Sequence, residues 1–277
     1  MYMLLLCAHS LAWAEVQLSS RANDRGLTGE ALAQGRSVVI VPNVASTEEC
    51  AKLLALGMSA ADDQQASVWA RTTARLSEFT SNNPRSEGRV RVPIGELPPQ
   101  TARLFDSLLG RVFSIVDDEM PSVAALFAHG YNIEGARAPT ASSAPALDAS
   151  VSLSSLHASD GLEFSSREPA INLYRSRGAE FHAHTDRQTL TVLIPLTSPD
   201  TYEGGGTGFW APDDDEVPRY GQPTSRPAVV LRPPPGSALL YGGRVTHAGM
   251  PMETGCRVIF LASFSRRRLD LELLDTL

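Results

Sequence analysis

The run Ser37-Val38-Val39-Ile40-Val41, β-branched and bounded by Gly35 and Pro42, predicts a strand. Past Pro42, Ser46 or Thr47 stands ahead of Glu48 and Glu49, the chemistry of a helix N-cap followed by an acidic first turn. Cys50, Leu53, Leu54 and Leu56 then recur at helical spacing and turn toward a core. A second helical stretch runs from about Pro99 to Ala128. There Leu104, Leu108, Leu109, Val112, Phe113 and Val116 repeat every three or four residues, and Pro121 breaks or restarts the helix. From 136 to 159 Ala, Ser, Pro and Thr replace large apolar residues. Such a segment buries too little surface to order itself, which predicts a flexible insertion over 136–160.

Beyond it the pattern changes to short strands, over 170–175, 189–196, 207–210, 228–231, 237–241 and 257–264. Turn residues separate them: Gly204-Gly205-Gly206, Pro233-Pro234-Pro235-Gly236 and Gly242-Gly243. Many short strands with this punctuation predict a sandwich or barrel rather than alternating βα units. The fold class is therefore mainly β with supporting helices. The chain divides into a candidate leader (1–15), N-terminal strand and helical support (16–135), the insertion (136–160) and a β core (161–277). No internal repeat is visible.

Composition narrows the function classes. A net charge of -7 leaves no basic stripe to meet phosphates, so nucleic acid is not an expected partner. Arg266, Arg267 and Arg268 form one local cluster that reads as a solvated strand end. Cys7, Cys50 and Cys256 are odd in number and widely spaced, neither a disulfide framework nor a CxxC metal site. The N-terminal apolar run ends in Ala12-Trp13-Ala14, a small-x-small cleavage pattern, but it lacks a positive flank and contains His9. A secretory leader and a structural N-terminus stay equally open, and with them the secretory pathway and the cytoplasm. No other stretch has the apolar length of a membrane span, so no transmembrane anchor is expected.

The candidate chemistry lies at His184-Thr185-Asp186 and at His247. Residues two apart on a strand share a face, so His184 and Asp186 can both point into a barrel while Thr185 points away. Two imidazoles and a carboxylate can hold one face of a ferrous ion and leave the other open, whereas a structural zinc site wants four closed ligands. His182 extends the run to His182-x-His184-x-Asp186, so an HxH pair of the cupin kind competes. The glutamate that pattern needs is missing from Arg187-Gln188-Thr189-Leu190, which favours HxD and makes His182 a supporting or substrate-side group. His9, His129 and His157 read as ordinary core or surface histidines. Arg257 opens the apolar run 258–262, where a guanidinium is costly unless it finds an anion. Its fork fits a carboxylate; a salt bridge to one of the protein's own acids, or a strand end in water, is the alternative.

In this order the motifs resemble those of the iron(II)- and 2-oxoglutarate-dependent dioxygenases, in their prolyl 4-hydroxylase-like branch. The resemblance covers roughly 168–264. It rests on Tyr174 through Gly178 and Phe181 to His184-Thr185-Asp186, on Glu203-Gly204-Gly205-Gly206-Thr207-Gly208-Phe209, on Pro235-Gly236-Ser237-Ala238-Leu239-Leu240-Tyr241, and on His247-Ala248-Gly249-Met250-Pro251 with Gly255-Cys256-Arg257. It implies a double-stranded β-helix (jelly-roll) core with N-terminal α-helices. It also implies iron on His184, Asp186 and His247, and 2-oxoglutarate held by Arg257 with Tyr174 and Thr191 in its pocket. The activity implied is hydroxylation of an unactivated C–H with O2, giving succinate and CO2, with ascorbate as reductant and a peptide, protein or small molecule as substrate, a peptidyl proline first among them. Asp186 favours hydroxylation, since a halogenating relative carries a small residue there. Arg257 replaces the lysine of collagen-type members, and Pro195 stands where such relatives often carry a second tyrosine. Two alternatives stay open: a cupin-like metal isomerase or epimerase without 2-oxoglutarate, and a barrel that binds without turnover.

Overall fold

The computed structural model describes residues 16–17, 32, 37–72, 88–127, 152–210, 220–221 and 226–267. The candidate leader, most of the expected insertion, His129 and the end of the arginine cluster lie outside these residues. The strands are β1 (Val16–Gln17), β2 (Val38–Val41), β3 (Arg89–Pro93), β4 (Leu162–Phe164), β5 (Ala170–Tyr174), β6 (Phe181–His184), β7 (Leu190–Pro195), β8 (Tyr202–Gly204), β9 (Thr207–Phe209), β10 (Tyr220–Gly221), β11 (Val229–Leu231), β12 (Ala238–Gly242), β13 (His247–Gly249), β14 (Met252–Gly255) and β15 (Arg257–Arg266). The helices are α1 (Thr47–Thr72), α2 (Pro99–Glu119), α3 (Pro121–Ala124) and α4 (Leu153–Ala158).

The strands build a jelly-roll, or double-stranded β-helix. A main sheet runs β1-β2-β12-β7-β15-β5-β3, with β4 also on β15. A minor sheet runs β10-β6-β13-β9-β11, and β14 pairs with β8 apart from both. Side-chain alternation gives each main-sheet strand two jobs. Ile171, Leu173, Val192, Ile194, Leu240, Val258, Phe260 and Phe264 face the helices and share one core with them. Tyr174, Leu193, Leu239, Tyr241 and Ile259 face the minor sheet and share a second core with Phe209. Both faces are covered, which is why β7, β12 and most of β15 read as continuous apolar runs rather than as alternation. A slip of one residue would exchange the two faces, so this patterning fixes the register that carries the site.

The two long helices form where the sequence predicts them. Ser46 caps α1: its hydroxyl accepts from Glu49 N–H at 3.2 Å, and Glu49 accepts from Ser46 N–H at 2.8 Å, a reciprocal capping box. Cys50, Leu53, Gly57 and Ala61 form the buried stripe. Gly57 permits the close approach of helix to sheet, because a Cβ there would stand 2.9 Å from Ile171 Cδ1. α2 buries Phe105, Leu108, Leu109, Val112, Phe113 and Val116, stops at Glu119, and the chain restarts at Pro121. Phe105 stacks on Phe260 at 4.5 Å between centroids and Phe113 meets Phe264 edge-on at 5.2 Å, tying the helix layer to β15.

Three features depart from the sequence reading. Leu153–Ala158, inside the stretch expected to be flexible, is helix α4 with Leu153 fully buried. The Asp117 carboxylate on α2 orders it, accepting from Ser152 Oγ, Leu153 N–H and Ser154 N–H at 2.8–2.9 Å. Ser152 is the local N-cap, its hydroxyl accepting from Ser155 N–H at 3.2 Å, but composition could not show the Asp117 anchor, which lies far away in sequence. The main sheet also draws β2 and β3 from the N-terminal segment, so the core does not begin at 161. Finally, β6 stops at His184, and Asp186 lies past its end.

Candidate metal centre

His184 ends β6, His247 starts β13, and the two residues are paired in register. Three residues of β13 (His247 to Gly249) span four of β6 (His184 to Phe181), so β6 carries a bulge. The bulge brings Phe181 and His184 to one side, with ring centroids 4.4 Å apart, and both line the pocket between the sheets. His182 is turned aside and pairs with Glu180 at 3.0 Å. Asp186 reaches the histidines from the loop after β6, not by strand alternation.

One potential ligand atom each from His184, Asp186 and His247 lies within 4.8 Å of the others. Asp186 Oδ1 is 3.4 Å from His184 Nε2, and Oδ2 is 3.7 Å from His247 Nε2. At metal–ligand bonds of about 2.1 Å, ligand atoms set at right angles lie roughly 3 Å apart, so the spacing suits a shared ion. Both imidazoles are oriented alike: His184 Nδ1 lies 2.8 Å from the His182 carbonyl oxygen, and His247 Nδ1 lies 3.1 Å from that of Val245. A proton on Nδ1 satisfies each carbonyl and leaves Nε2 with a lone pair facing the carboxylate. Burial pushes His247 down to about 4, with nearby Asp186 opposing, so near neutral pH it is an uncharged donor. Burial alone would raise Asp186, but His247, His184 and Thr191 together hold its carboxyl well below the usual carboxylate range.

Thr191, on β7, gives its hydroxyl to Asp186 Oδ2 at 2.5 Å. The sequence reading set Thr191 in the cosubstrate pocket; its hydroxyl instead holds the carboxylate. Tyr241, opposite Thr191 in register, stands with its ring 4.6 Å from that of His247. Burial pushes its phenol well above the ordinary tyrosine value, so the hydroxyl stays protonated.

Arg257 is 4% exposed. Its Nη2 donates to Thr207 Oγ1 at 2.8 Å, while Nη1 is buried with no partner among the described residues. Tyr174 pairs with it in register, its ring centroid 5.3 Å from the guanidinium carbon. Gly249 makes room for the Tyr174 hydroxyl, which would stand 3.0 Å from a Cβ at that position. Gly205, at φ +59°, passes with similar closeness, since a Cβ there would meet Met252 Sδ at 2.7 Å and Arg257 Cδ at 3.4 Å. Arg257, Thr207, Tyr174 and the three candidate ligands all line one cavity of about 400 Å³.

Sequence reasoning assigned no part to Thr207, although it stands in the quoted glycine turn motif. It also passed over the β3 and β5 wall, where Arg89, Arg91, Glu168 and Asn172 line the same cavity. Arg91 bonds Glu168 Oε1 and Asn172 Oδ1, each at 3.1 Å. The alternation in Arg89-Val90-Arg91-Val92 was the available signal, with arginines facing the pocket and valines the helices. His157 pairs with Asp106 at 2.9 Å and packs against Phe113, the ordinary role expected of it. No helix among the described residues is long and apolar enough to cross a membrane.

No family model and no curated protein matches the sequence. Among solved structures, a viral collagen prolyl hydroxylase of Paramecium bursaria Chlorella virus-1 is similar at 12% identity, over 84% of this chain and 98% of that one, with a TM-score of 0.44. The α-ketoglutarate-dependent epimerase SnoN of nogalamycin biosynthesis is similar at 15% identity, over 91% of this chain and 89% of that one, with a TM-score of 0.49. A Pseudomonas putida prolyl-4-hydroxylase is similar at 12% identity, over 88% and 99% of the two chains, with a TM-score of 0.43.

Proposed function

We propose that this chain is an Fe(II)- and 2-oxoglutarate-dependent dioxygenase that hydroxylates an unactivated C–H, with a proline or similar side chain as substrate and ascorbate as reductant. The observation that carries the reading is the convergence of His184, Asp186 and His247 beside a buried Arg257 that has an unpaired Nη1. The donor set fits: two imidazoles and one carboxylate match ferrous iron with open positions. The guanidinium fits too, since a buried donor without a partner is costly until an anion meets it. When bound, ferrous iron with 2-oxoglutarate and O2 supplies the oxidising power for C–H hydroxylation, leaving succinate and CO2.

The chain's own residues would hold and shield that chemistry. His184 and His247 offer Nε2 because their Nδ1 atoms are engaged by carbonyls. Asp186 is kept anionic, and Thr191 fixes the carboxylate's rotation. Arg257 Nη1 and the Tyr174 hydroxyl would meet the distal carboxylate of 2-oxoglutarate, with Thr207 setting the plane of the guanidinium. Leu193, Ile259 and Leu261 form a dry wall along that side. A buried cationic anchor speaks against an isomerase that needs no 2-oxoglutarate. The test is anaerobic loading with Fe(II), then exposure to 2-oxoglutarate, O2 and a peptide and metabolite library. The expected result is succinate release coupled to the gain of one oxygen atom by a library member. Activity that survives in His184→Ala, or that proceeds without 2-oxoglutarate, would overturn it.

A further inference from the structure

The cavity between the sheets carries unpaired hydrogen-bond donors on both sides of Tyr174. Among the described residues, Arg89 Nε and Nη1, Asn172 Nδ2 and Arg257 Nη1 are buried nitrogens without partners, and all three side chains line this cavity. The other buried polar atoms without partners, on Ser37, Thr101 and Arg175, lie elsewhere. Arg89 and Arg257 flank Tyr174 in register from opposite sides. Across those three strands their Cα atoms stand roughly 10 Å apart, with the Tyr174 side chain between them. Asn172 lies on the same face as Tyr174, diagonal to Arg89, at a Cα separation of about 7 Å.

The charges point the same way. The cavity is lined by four guanidiniums (Arg89, Arg91, Arg187, Arg257) and two carboxylates (Glu168, Asp186). Arg91 is paired with Glu168. Arg257 is answered by the distal carboxylate of 2-oxoglutarate. A divalent cation answers Asp186 and the cosubstrate's other carboxylate. Arg187 is exposed to water. Arg89 is left without a carboxylate of its own: it hydrogen-bonds the Tyr174 side chain and feels Glu168, which Arg91 already pairs, while its Nε and Nη1 stay buried and unpaired. Its guanidinium carbon lies 3.9 Å from the Phe181 ring centroid. That contact covers a face of the guanidinium, but its N–H donors lie in the plane of the fork and are not satisfied by a ring. Asn172 is set in a matching sense: Arg91 Nε can only donate, so the amide oxygen faces Arg91 and the NH2 group is left to donate elsewhere.

We propose that Arg89, with the Asn172 amide beside it, binds a carboxylate of the substrate to be oxidised, so that the enzyme selects an acid. One guanidinium and one neutral amide match a single negative charge, which favours a carboxylate over a phosphate dianion. The acid is either a free amino-acid-like molecule or an acidic group on a peptide. The proposal rests on the metal and 2-oxoglutarate reading above and adds the substrate's chemical class.

The test uses the full chain saturated with Mn(II) and 2-oxoglutarate, so that Arg257 is already occupied. Two probe sets are titrated calorimetrically: N-acetyl amino acids as free acids and as primary amides, and end-blocked tripeptides with a central proline flanked by Asp or Asn. At least one acid is expected to bind about 10- to 100-fold more tightly than its neutral partner. The first set identifies a small acid as the source, the second an acidic peptide. Arg89→Gln is expected to erase the preference while 2-oxoglutarate affinity stays within about twofold, and Arg89→Lys to restore part of it. If Arg89→Gln does not fold, the acid-to-amide ratio on the unmodified protein and on Arg89→Lys decides. No preference for the acid in either set overturns the proposal. So does a loss of 2-oxoglutarate affinity in Arg89→Gln as large as in Arg257→Gln, which would make Arg89 a cosubstrate residue. Failure of the Mn(II)-loaded unmodified protein to bind 2-oxoglutarate at all would sink the underlying reading instead.

Discussion

Replacing Thr191 by valine separates two accounts of that residue. Valine keeps the branched shape on β7 and removes only the hydroxyl that donates to Asp186 Oδ2 at 2.5 Å. A hydrogen bond to a charged acceptor contributes about 1.5–3 kcal/mol. At 1.4 kcal/mol for each factor of ten, its loss would weaken metal binding roughly 10- to 100-fold, the range found for groups that orient metal ligands. Part of that bond also stabilises the metal-free protein, which sets the lower end. Thr191 is fully buried, and Thr191→Val leaves no cavity, so the unfolding midpoint should move little. The assay is anaerobic titration of Fe(II), or of Mn(II) in air, by calorimetry, with 2-oxoglutarate affinity measured on the metal-saturated protein. Thr191→Ser, which keeps the oxygen, should recover most of the affinity. Were Thr191 a cosubstrate residue, as its place in the sequence motif implies, metal affinity would be unchanged and 2-oxoglutarate affinity would fall. A Thr191→Val protein that is folded and binds metal within about twofold of the parent refutes the positioning role.

Arg257→Gln should raise the 2-oxoglutarate dissociation constant roughly a hundredfold while metal affinity is kept, because a buried charge pair is broken from one side; equal binding in both proteins would count against the anchor. Asp117→Ala removes the acceptor of three bonds to the start of α4 and should cost about 1–2 kcal/mol, seen as faster hydrogen exchange at the Leu153 and Ser154 amides. Unchanged exchange there would mean that α4 is held by packing alone. Arg111 above all holds the Glu49 carboxyl down at about 2, against 4.5 when unpaired. A depressed folded-state value stabilises above 4.5, and that contribution fades as pH falls toward 2. Allowing for water around these partly exposed groups, it amounts to about 1 kcal/mol. Glu49→Gln should therefore reduce the loss of stability between about pH 6 and pH 3, measured by urea midpoints; an identical loss in both proteins would contradict the pairing.

The strands were legible where burial on both faces wrote long apolar runs, as in 189–196 and 257–264, and the helices where caps and apolar spacing agreed. Residues whose structure depends on distant partners were not. Near 153–158 the local helix signal is a single serine, Ser152, whose hydroxyl caps the helix by accepting from Ser155 N–H, while the carboxylate that orders its first residues, Asp117, lies on another element. β3 is a strand whose inward face carries Arg89 and Arg91, so it reads as charged chain unless one knows that a polar cavity lies beside it. Thr207 was visible as a letter in a motif, but its work, accepting a hydrogen bond from Arg257 Nη2, follows only once β9 and β15 face each other across the interior.

The ligand set shows why residue types alone could not decide between His182 and Asp186. Strict alternation along His182-x-His184-x-Asp186 puts all three on one face, and on that rule a pair of histidines is as good a choice as a histidine and an aspartate. The extra residue of β6 opposite β13 breaks the rule between His182 and His184. It turns the His182 side chain to Glu180, leaves the His182 carbonyl to orient the ring of His184, and brings Phe181 against that ring instead. Strand β6 then ends, and Asp186 comes in from the loop, steadied by Thr191. Pairing with β13 thus selects the triad, and it selects His247 in the same act, since the bulge lies between the two histidines' register and the next pair.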